Sequence, residues 1–116
     1  MTGIVEVRQT ADFSAWLVAL KNVAARAAIL VRLARLAIGN PGDVRPVGGD
    51  VSELRIDVGS GYRAYYIQVG QFVLLMLAGG DKGTQAKDIR RALTMARELK
   101  SATRVAAKSV KSRKLK

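Results

Sequence analysis

The stretch between residues 51 and 85 constrains the fold of this chain more than any other. It contains three apolar runs that predict β-strands, separated by glycine turns at residues 59–61 and 70–71. Turns this short predict hairpins, so we expect a sheet that is antiparallel at least through these three strands. The third run, FVLLML at residues 72–77, has no polar residue. We therefore predict a central strand with both faces covered.

The flanking residues predict one further strand and three helices. A short strand is expected over residues 4–10, and apolar side chains spaced as on one helix face follow over residues 13–20. A second helix, rich in Ala, Leu and Arg, is predicted over residues 23–38. Residues 42–50 predict a loop from their Gly, Pro and Asp content, and a third helix follows Gln85.

These elements predict a small α+β domain with the order β-α-α-β-β-β-α over residues 1–100. We expect an antiparallel-rich sheet with a helical hairpin packed on one face and a partly open second face. Residues 101–116 predict a basic tail that is frayed or disordered, since its apolar stripe thins beyond Leu99.

Charge and composition narrow the classes of function. The chain has 20 basic and 9 acidic residues, a net charge of +11, which predicts an acidic partner such as nucleic acid. It has no cysteine and no histidine, so disulfides, thiolate sites and the commonest metal ligand are excluded. We expect a cytoplasmic protein with no metal, no cofactor and no membrane-spanning segment, since no run of about 18 apolar residues occurs.

Four cations are candidates for a shared site: Arg45 in the predicted loop, Arg55 and Arg63 on adjacent strands, and Lys82 after the last strand. A hairpin that turns at residues 59–61 brings Arg55 and Arg63 opposite one another, where two like charges repel unless anions lie between them. Two interpretations stay open. Glu53 or Asp57 could complete a surface lattice of ion pairs, or the guanidinium groups could cradle a phosphate on the open sheet face.

A phosphate cradle fits RNA cleavage by attack of the 2′-hydroxyl on the adjacent phosphorus, which needs charge stabilisation and proton transfer. Without histidine, a desolvated lysine beside arginines could act as the base, and Lys82 is the best candidate. Tyr62, Tyr65 or Tyr66 could stack on a nucleotide base or donate a proton. These spacings are not diagnostic by themselves.

Four segments resemble the phage-derived addiction-module killer proteins of the RelE/HigB toxin superfamily. They are DVRPVG at residues 43–48, VSELRI at 51–56, GYRAY at 61–65 and, above all, AGGDKGTQ at 78–85. The resemblance extends from Phe13 to Ile89. It implies a RelE-like fold and the toxin half of a type II toxin–antitoxin pair.

Such toxins are basic proteins that cleave mRNA on the ribosome and are silenced by an antitoxin, here expected to be a small helix-turn-helix protein. The resemblance implies catalytic roles for Arg55, Arg63 and Lys82. Substrate-binding roles are expected for Arg45, Tyr62, Tyr65, Thr84 and Gln85. Two alternatives stay open: a ParE-like inhibitor of DNA gyrase without nuclease chemistry, and a plain nucleic-acid-binding module.

Overall fold

The structure, a computed structural model, describes residues 4–114 and the side chains of residues 4–102. The α+β class is confirmed, with a five-stranded mixed sheet and three α-helices within the described residues. In chain order the elements are β1 (Glu6–Gln9), α1 (Ala11–Ala19), α2 (Val23–Ala37), β2 (Val44–Gly48), β3 (Val51–Ile56), β4 (Tyr62–Gly70), β5 (Val73–Asp81), a short 3₁₀ turn (Lys82–Thr84) and α3 (Gln85–Lys114).

The strands lie in the order β1-β5-β4-β3-β2. The two predicted hairpins are confirmed, because β3 pairs antiparallel with β4 and β4 antiparallel with β5. The central strand is β4, however, and not the apolar run in β5. An unbroken apolar run indicates that both faces of a strand are covered, but it does not indicate where the strand lies in the order of the sheet. Here β1 pairs parallel with the outer edge of β5.

Residues 42–50, predicted as a loop, contain β2, so the predicted element order lacks one strand. β2 is an edge strand that pairs antiparallel with β3 and has an irregular register between Pro46 and Gly48. Proline is tolerated on an edge because no ladder partner needs its missing N–H. Val44 packs against the cluster on one sheet face and Val47 against the cluster on the other, which explains why this polar segment is ordered as a strand.

Helices cover both faces of the sheet. α1 and α2 pack on one face, as predicted, through the buried side chains Phe13, Leu17, Ile29, Leu33 and Leu36. The second face was expected to be partly open, but α3 lies on it. There Ala92 and Ala96 contact a cluster that includes Tyr65, Ile67 and Leu77. The small alanine side chains allow the helix backbone to approach the sheet closely.

α3 continues to Lys114, so its helix includes most of the basic segment from residue 101 for which the sequence predicts a frayed or disordered tail. The physical reason is that these residues extend a helix whose first turns are already held by the sheet. Extension adds residues without a new nucleation step, and the segment is rich in Ala, Lys and Arg, which favour helix. Residues 115–116 lie outside the described residues. Within residues 4–114, no helix is both long enough and apolar enough to cross a bilayer.

Gly79 and Gly80 occupy the most tightly packed point of β5. A Cβ atom on Gly79 would overlap the indole ring of Trp16, and one on Gly80 would overlap the carboxylate of Asp88. Neighbouring strand residues point to opposite faces, so the two glycines let α1 approach from one side and α3 from the other.

We expect Gly79→Ala to lower the free energy of unfolding by about 1–3 kcal/mol, since the added methyl group must displace the Trp16 ring. Urea unfolding followed by circular dichroism measures the change. Gly70→Ala is the matched control, because a Cβ there meets only Val73 at an ordinary 3.8 Å. Equal stability of the two variants would contradict this account of the packing.

Candidate anion-binding site

Two arginines are direct neighbours on β3 and β4. Arg55 and Arg63 are Cα partners in the antiparallel ladder, which confirms the predicted register. Both lie on the sheet face that carries α3, because Tyr65, two residues beyond Arg63 on the same strand, belongs to the α3 cluster. Arg55 is half-buried. The site therefore lies at the margin of a covered face and not on an open one.

Arg63 is the unusual member of the pair. The sequence predicts a solvent-facing side chain here, but only 3% of its area is exposed. Its Nη1 donates to the backbone carbonyl of Tyr62 at 3.2 Å, and its buried Nε has no partner. Among the residues with described side chains, no carboxylate forms an ion pair with Arg55 or Arg63. A buried cation that lacks a direct ion pair is energetically costly, so this guanidinium is a candidate for binding an anion.

Lys82 lies beside Arg63 at the turn between β3 and β4. A Cβ atom on Gly61 would be 3.5 Å from Arg63 Nη1 and 3.8 Å from Lys82 Cδ. Both cationic side chains therefore lie next to this glycine. The Lys82 N–H donates to the Gly61 carbonyl at 3.1 Å. The Asp81 carboxylate fixes the next turn by accepting from the N–H groups of residues 83 and 84. Lys82 itself is exposed.

A buried carboxylate, Glu53, organises the other side of the site. Its oxygens accept from the Tyr65 hydroxyl at 3.0 Å, from Gln85 Nε2 at 2.8 Å and from Arg45 Nε at 3.2 Å. Burial alone raises the pKa of Glu53, but the hydrogen bonds from these three donors outweigh it, and the pKa is lowered. Glu53 is therefore an ionised carboxylate that ties β2, β4 and the start of α3 to β3.

The same contacts decide what the predicted substrate-binding residues can do. Tyr65 is fully buried, and burial together with its bond to Glu53 raises its pKa, so it is a neutral phenol that cannot stack on a nucleotide base. The Gln85 amide is bound to Glu53, and the Thr84 hydroxyl donates to Asp88. Tyr62 packs with the α1–α2 cluster on the opposite face.

Of the predicted substrate-binding residues, Arg45 keeps a largely accessible side chain on the Glu53 side of the site, with 54% of it exposed. The proposal of a desolvated lysine also needs correction. Lys82 is exposed and is therefore not a desolvated lysine.

Glu53 has a structural role that the sequence did not reveal, since from the sequence it was only a candidate surface counter-ion. The available signal was its parity, since Glu53 and Arg55 share a face that Leu54 does not. Reading that signal required knowing that α3 covers this face. Among the described side chains, no group of three or more His, Cys, Asp or Glu residues is arranged to hold a metal ion.

Comparison with known proteins finds a relative in Haemophilus influenzae, which is described as an uncharacterized protein. The two sequences are 44% identical over 95 residues, which cover 82% of this chain and 96% of the relative. No family model matches the chain.

Glu53→Gln should lower the free energy of unfolding at pH 7 by about 1–3 kcal/mol, since it weakens bonds to three donors at a buried position. The folded-state pKa of Glu53 is lowered, so its contribution is present above the ordinary glutamate pKa of about 4.3 and is lost as pH falls through the lowered pKa. Urea unfolding between pH 7 and pH 3 should show the gap between wild type and variant closing on acidification. Glu98→Gln, at an exposed carboxylate, is the control. A gap that does not depend on pH would contradict the assignment of an ionised Glu53.

Proposed function

We propose that this chain, which belongs to the same protein family as the Haemophilus influenzae protein, is the toxin of a type II toxin–antitoxin pair. In this proposal it is a cytoplasmic endoribonuclease that cleaves mRNA on the ribosome, and an antitoxin silences it. The observation that carries the proposal is the buried guanidinium of Arg63, which has no ion-pair partner among the described side chains and lies beside the exposed Lys82. The resemblance of residues 43–85 to RelE/HigB toxins gives the anion its identity as an RNA phosphate.

Burial of the Arg63 charge without a direct ion pair costs free energy, which a bound anion would offset. A guanidinium group presents its donors in a planar fork that matches two phosphate oxygens. A phosphate bound against Arg63 would supply the direct ion pair that the described side chains do not. The facing Arg55 would then gain a shared anion where it now meets a like charge. This arrangement favours a compact anion that accepts two hydrogen bonds from one guanidinium group. It is less suited to an acidic protein surface whose charges are spread out.

The reaction we propose is attack of the ribose 2′-oxygen on the adjacent phosphorus. The bond from the 2′-oxygen to phosphorus forms, the bond from phosphorus to the 5′-oxygen breaks, and a 2′,3′-cyclic phosphate results. Arg63 and Arg55 stabilise the charge that develops on the phosphate oxygens. The Lys82 ammonium donates a proton to the leaving 5′-oxygen, and a water molecule accepts the proton of the 2′-hydroxyl. No metal or redox cofactor enters these steps.

One observation favours the alternative of a ParE-like gyrase inhibitor without nuclease chemistry. Two groups near Arg63 are poorly placed to accept a proton: Tyr65 is a buried neutral phenol, and the Glu53 carboxylate is occupied by three donors. An inhibitor that only binds needs no such group.

We expect Lys82→Ala and Arg63→Gln to reduce mRNA cleavage by about 10²- to 10³-fold, the usual effect of losing one charge-stabilising contact in the transition state. Gln is chosen at residue 63 because it keeps much of the buried volume and removes the charge. Primer extension after brief induction maps the cleavage. Lys87→Ala is the control, since Lys87 is an exposed lysine on the first turn of α3.

Two outcomes would contradict the nuclease proposal. If Lys82→Ala and Arg63→Gln both cleave mRNA as well as wild type, the catalytic residues lie outside this site. Growth arrest without cleavage, accompanied by loss of gyrase supercoiling activity in vitro, would favour the ParE-like alternative. Urea unfolding of Arg63→Gln must show a folded protein for either conclusion to hold.

The end of α3 should assist binding without entering the chemistry. Residues 97–116 contain eight basic residues and one acid, so removing residues 104–116 should weaken affinity for ribosomes and flatten its salt dependence. Cleavage at saturating enzyme should stay nearly unchanged. Titrations at several salt concentrations measure the slope, and loss of turnover at saturation would contradict the prediction.

A further inference from the structure

The outward side of α2 is apolar along its whole length. Side chains at spacings of three and four residues form what we call the outer α2 face, made of Val23, Ala27, Leu30, Val31, Ala34 and Ile38. All six are exposed, and Val31 and Ile38 keep 50% and 60% of their area accessible. Four of the eight large apolar side chains that are exposed among the described residues lie here. A continuous apolar stripe of this kind is typical of a helix that packs against a second helix.

The segment that carries this face, from residue 13 to residue 42, has charged side chains of one sign. Between residues 13 and 42 the sequence has four basic residues, Lys21, Arg26, Arg32 and Arg35, and no acidic residue. Arg26 donates to the carbonyl of Leu20, and Arg32 donates to the carbonyls of Pro41 and Arg55. Hydrogen bonds to neutral carbonyls leave the positive charges uncompensated. Among the described side chains, none of the four forms an ion pair.

The charge identifies the kind of occupant. Two copies of this chain would bring two identical basic hairpins together, and each copy carries a net charge of +11. Like charges across an interface oppose association, whereas carboxylates flanking an apolar stripe complement it. A nucleic acid would pair with the cations but would leave the valine, leucine and isoleucine side chains exposed to water.

From these observations we infer that the outer α2 face is a docking surface for an acidic amphipathic helix of a partner protein. The partner helix would place small and branched apolar side chains against Ala27, Val31 and Ala34, where the alanines allow close approach of the two backbones. Its flanking carboxylates would face Lys21 and Arg35, both of which are exposed. The inference stands whether or not the chain cleaves RNA, since it uses no residue of the anion-binding site.

The test uses the full chain and a synthetic helical peptide with a Leu/Ala stripe at spacings of three and four and Glu on both flanks. The control peptide carries Lys in place of every Glu. Isothermal titration calorimetry should show binding of the acidic peptide, weakened by salt, and no binding of the basic one. Val31→Lys should weaken binding about tenfold, the effect of losing one apolar side chain from an interface. Arg35→Glu should also weaken it, by removing one charge contact and adding a repulsive one.

Val69→Lys is the matched control, since Val69 is 48% exposed on β4 and the substitution adds the same charge outside α2. Its affinity for the acidic peptide should equal that of wild type or exceed it slightly. Urea unfolding must show that all three variants keep wild-type stability.

Three results would overturn the inference. They are failure of the acidic peptide to bind, equal affinity for Val31→Lys and wild type, and a dimer in sedimentation velocity that Val31→Lys dissociates. Equal affinity of Val31→Lys and wild type would show that the peptide binds another basic surface. A dimer that Val31→Lys dissociates would show that the outer α2 face binds a second copy of the chain.

Discussion

Both helical layers are fixed to the sheet at the adjacent glycines of β5. The absence of side chains at Gly79 and Gly80 lets the Trp16 ring of α1 lie against one face of the strand and the Asp88 carboxylate of α3 against the other. Asp88 is 93% buried, and the Thr84 hydroxyl donates to it, so the contact also sets where α3 begins. The position of every residue between β5 and α3 depends on this close approach.

That dependence gives a physical reading of the segment AGGDKGTQ, which carries most of the resemblance to the toxin superfamily. Asp81 caps the short turn, Thr84 contacts Asp88, and Gln85 donates to Glu53. With the two glycines, these residues have structural roles. Lys82 is different, since its exposed side chain forms no hydrogen bond or ion pair with the described side chains. Most of the segment therefore serves to hold Lys82 beside Arg63. Its resemblance to the toxins is better evidence for a shared fold than for shared catalysis.

The parts of the fold that the sequence predicted are those set by local chemistry. The glycine turn at residues 59–61 fixed the pairing of Arg55 with Arg63, and Thr10 caps α1 through a bond to the Phe13 N–H. The errors concern contacts between distant segments. β2 is held by valines that pack on clusters from other elements, and the burial of Arg63 and Tyr65 depends on α3, which begins at least 20 residues further along the chain. The amphipathic pattern of α3 predicted a helix, but the pattern does not reveal which sheet face the helix covers.

The anion site and the outer α2 face differ in kind and lie on opposite sides of the sheet. Arg63 carries one buried charge, which favours a compact anion. The outer α2 face is an apolar stripe with basic side chains beside it, which favours an extended partner. A helix docked on α2 would therefore not cover the anion site directly. The two surfaces are joined by Arg32, whose Nη1 donates at 2.6 Å to the backbone carbonyl of Arg55. A partner that silences the chain from α2 must act through such contacts with β3 or reach around the edge of the sheet, and the short, proline-containing β2 is the edge nearest to Arg55.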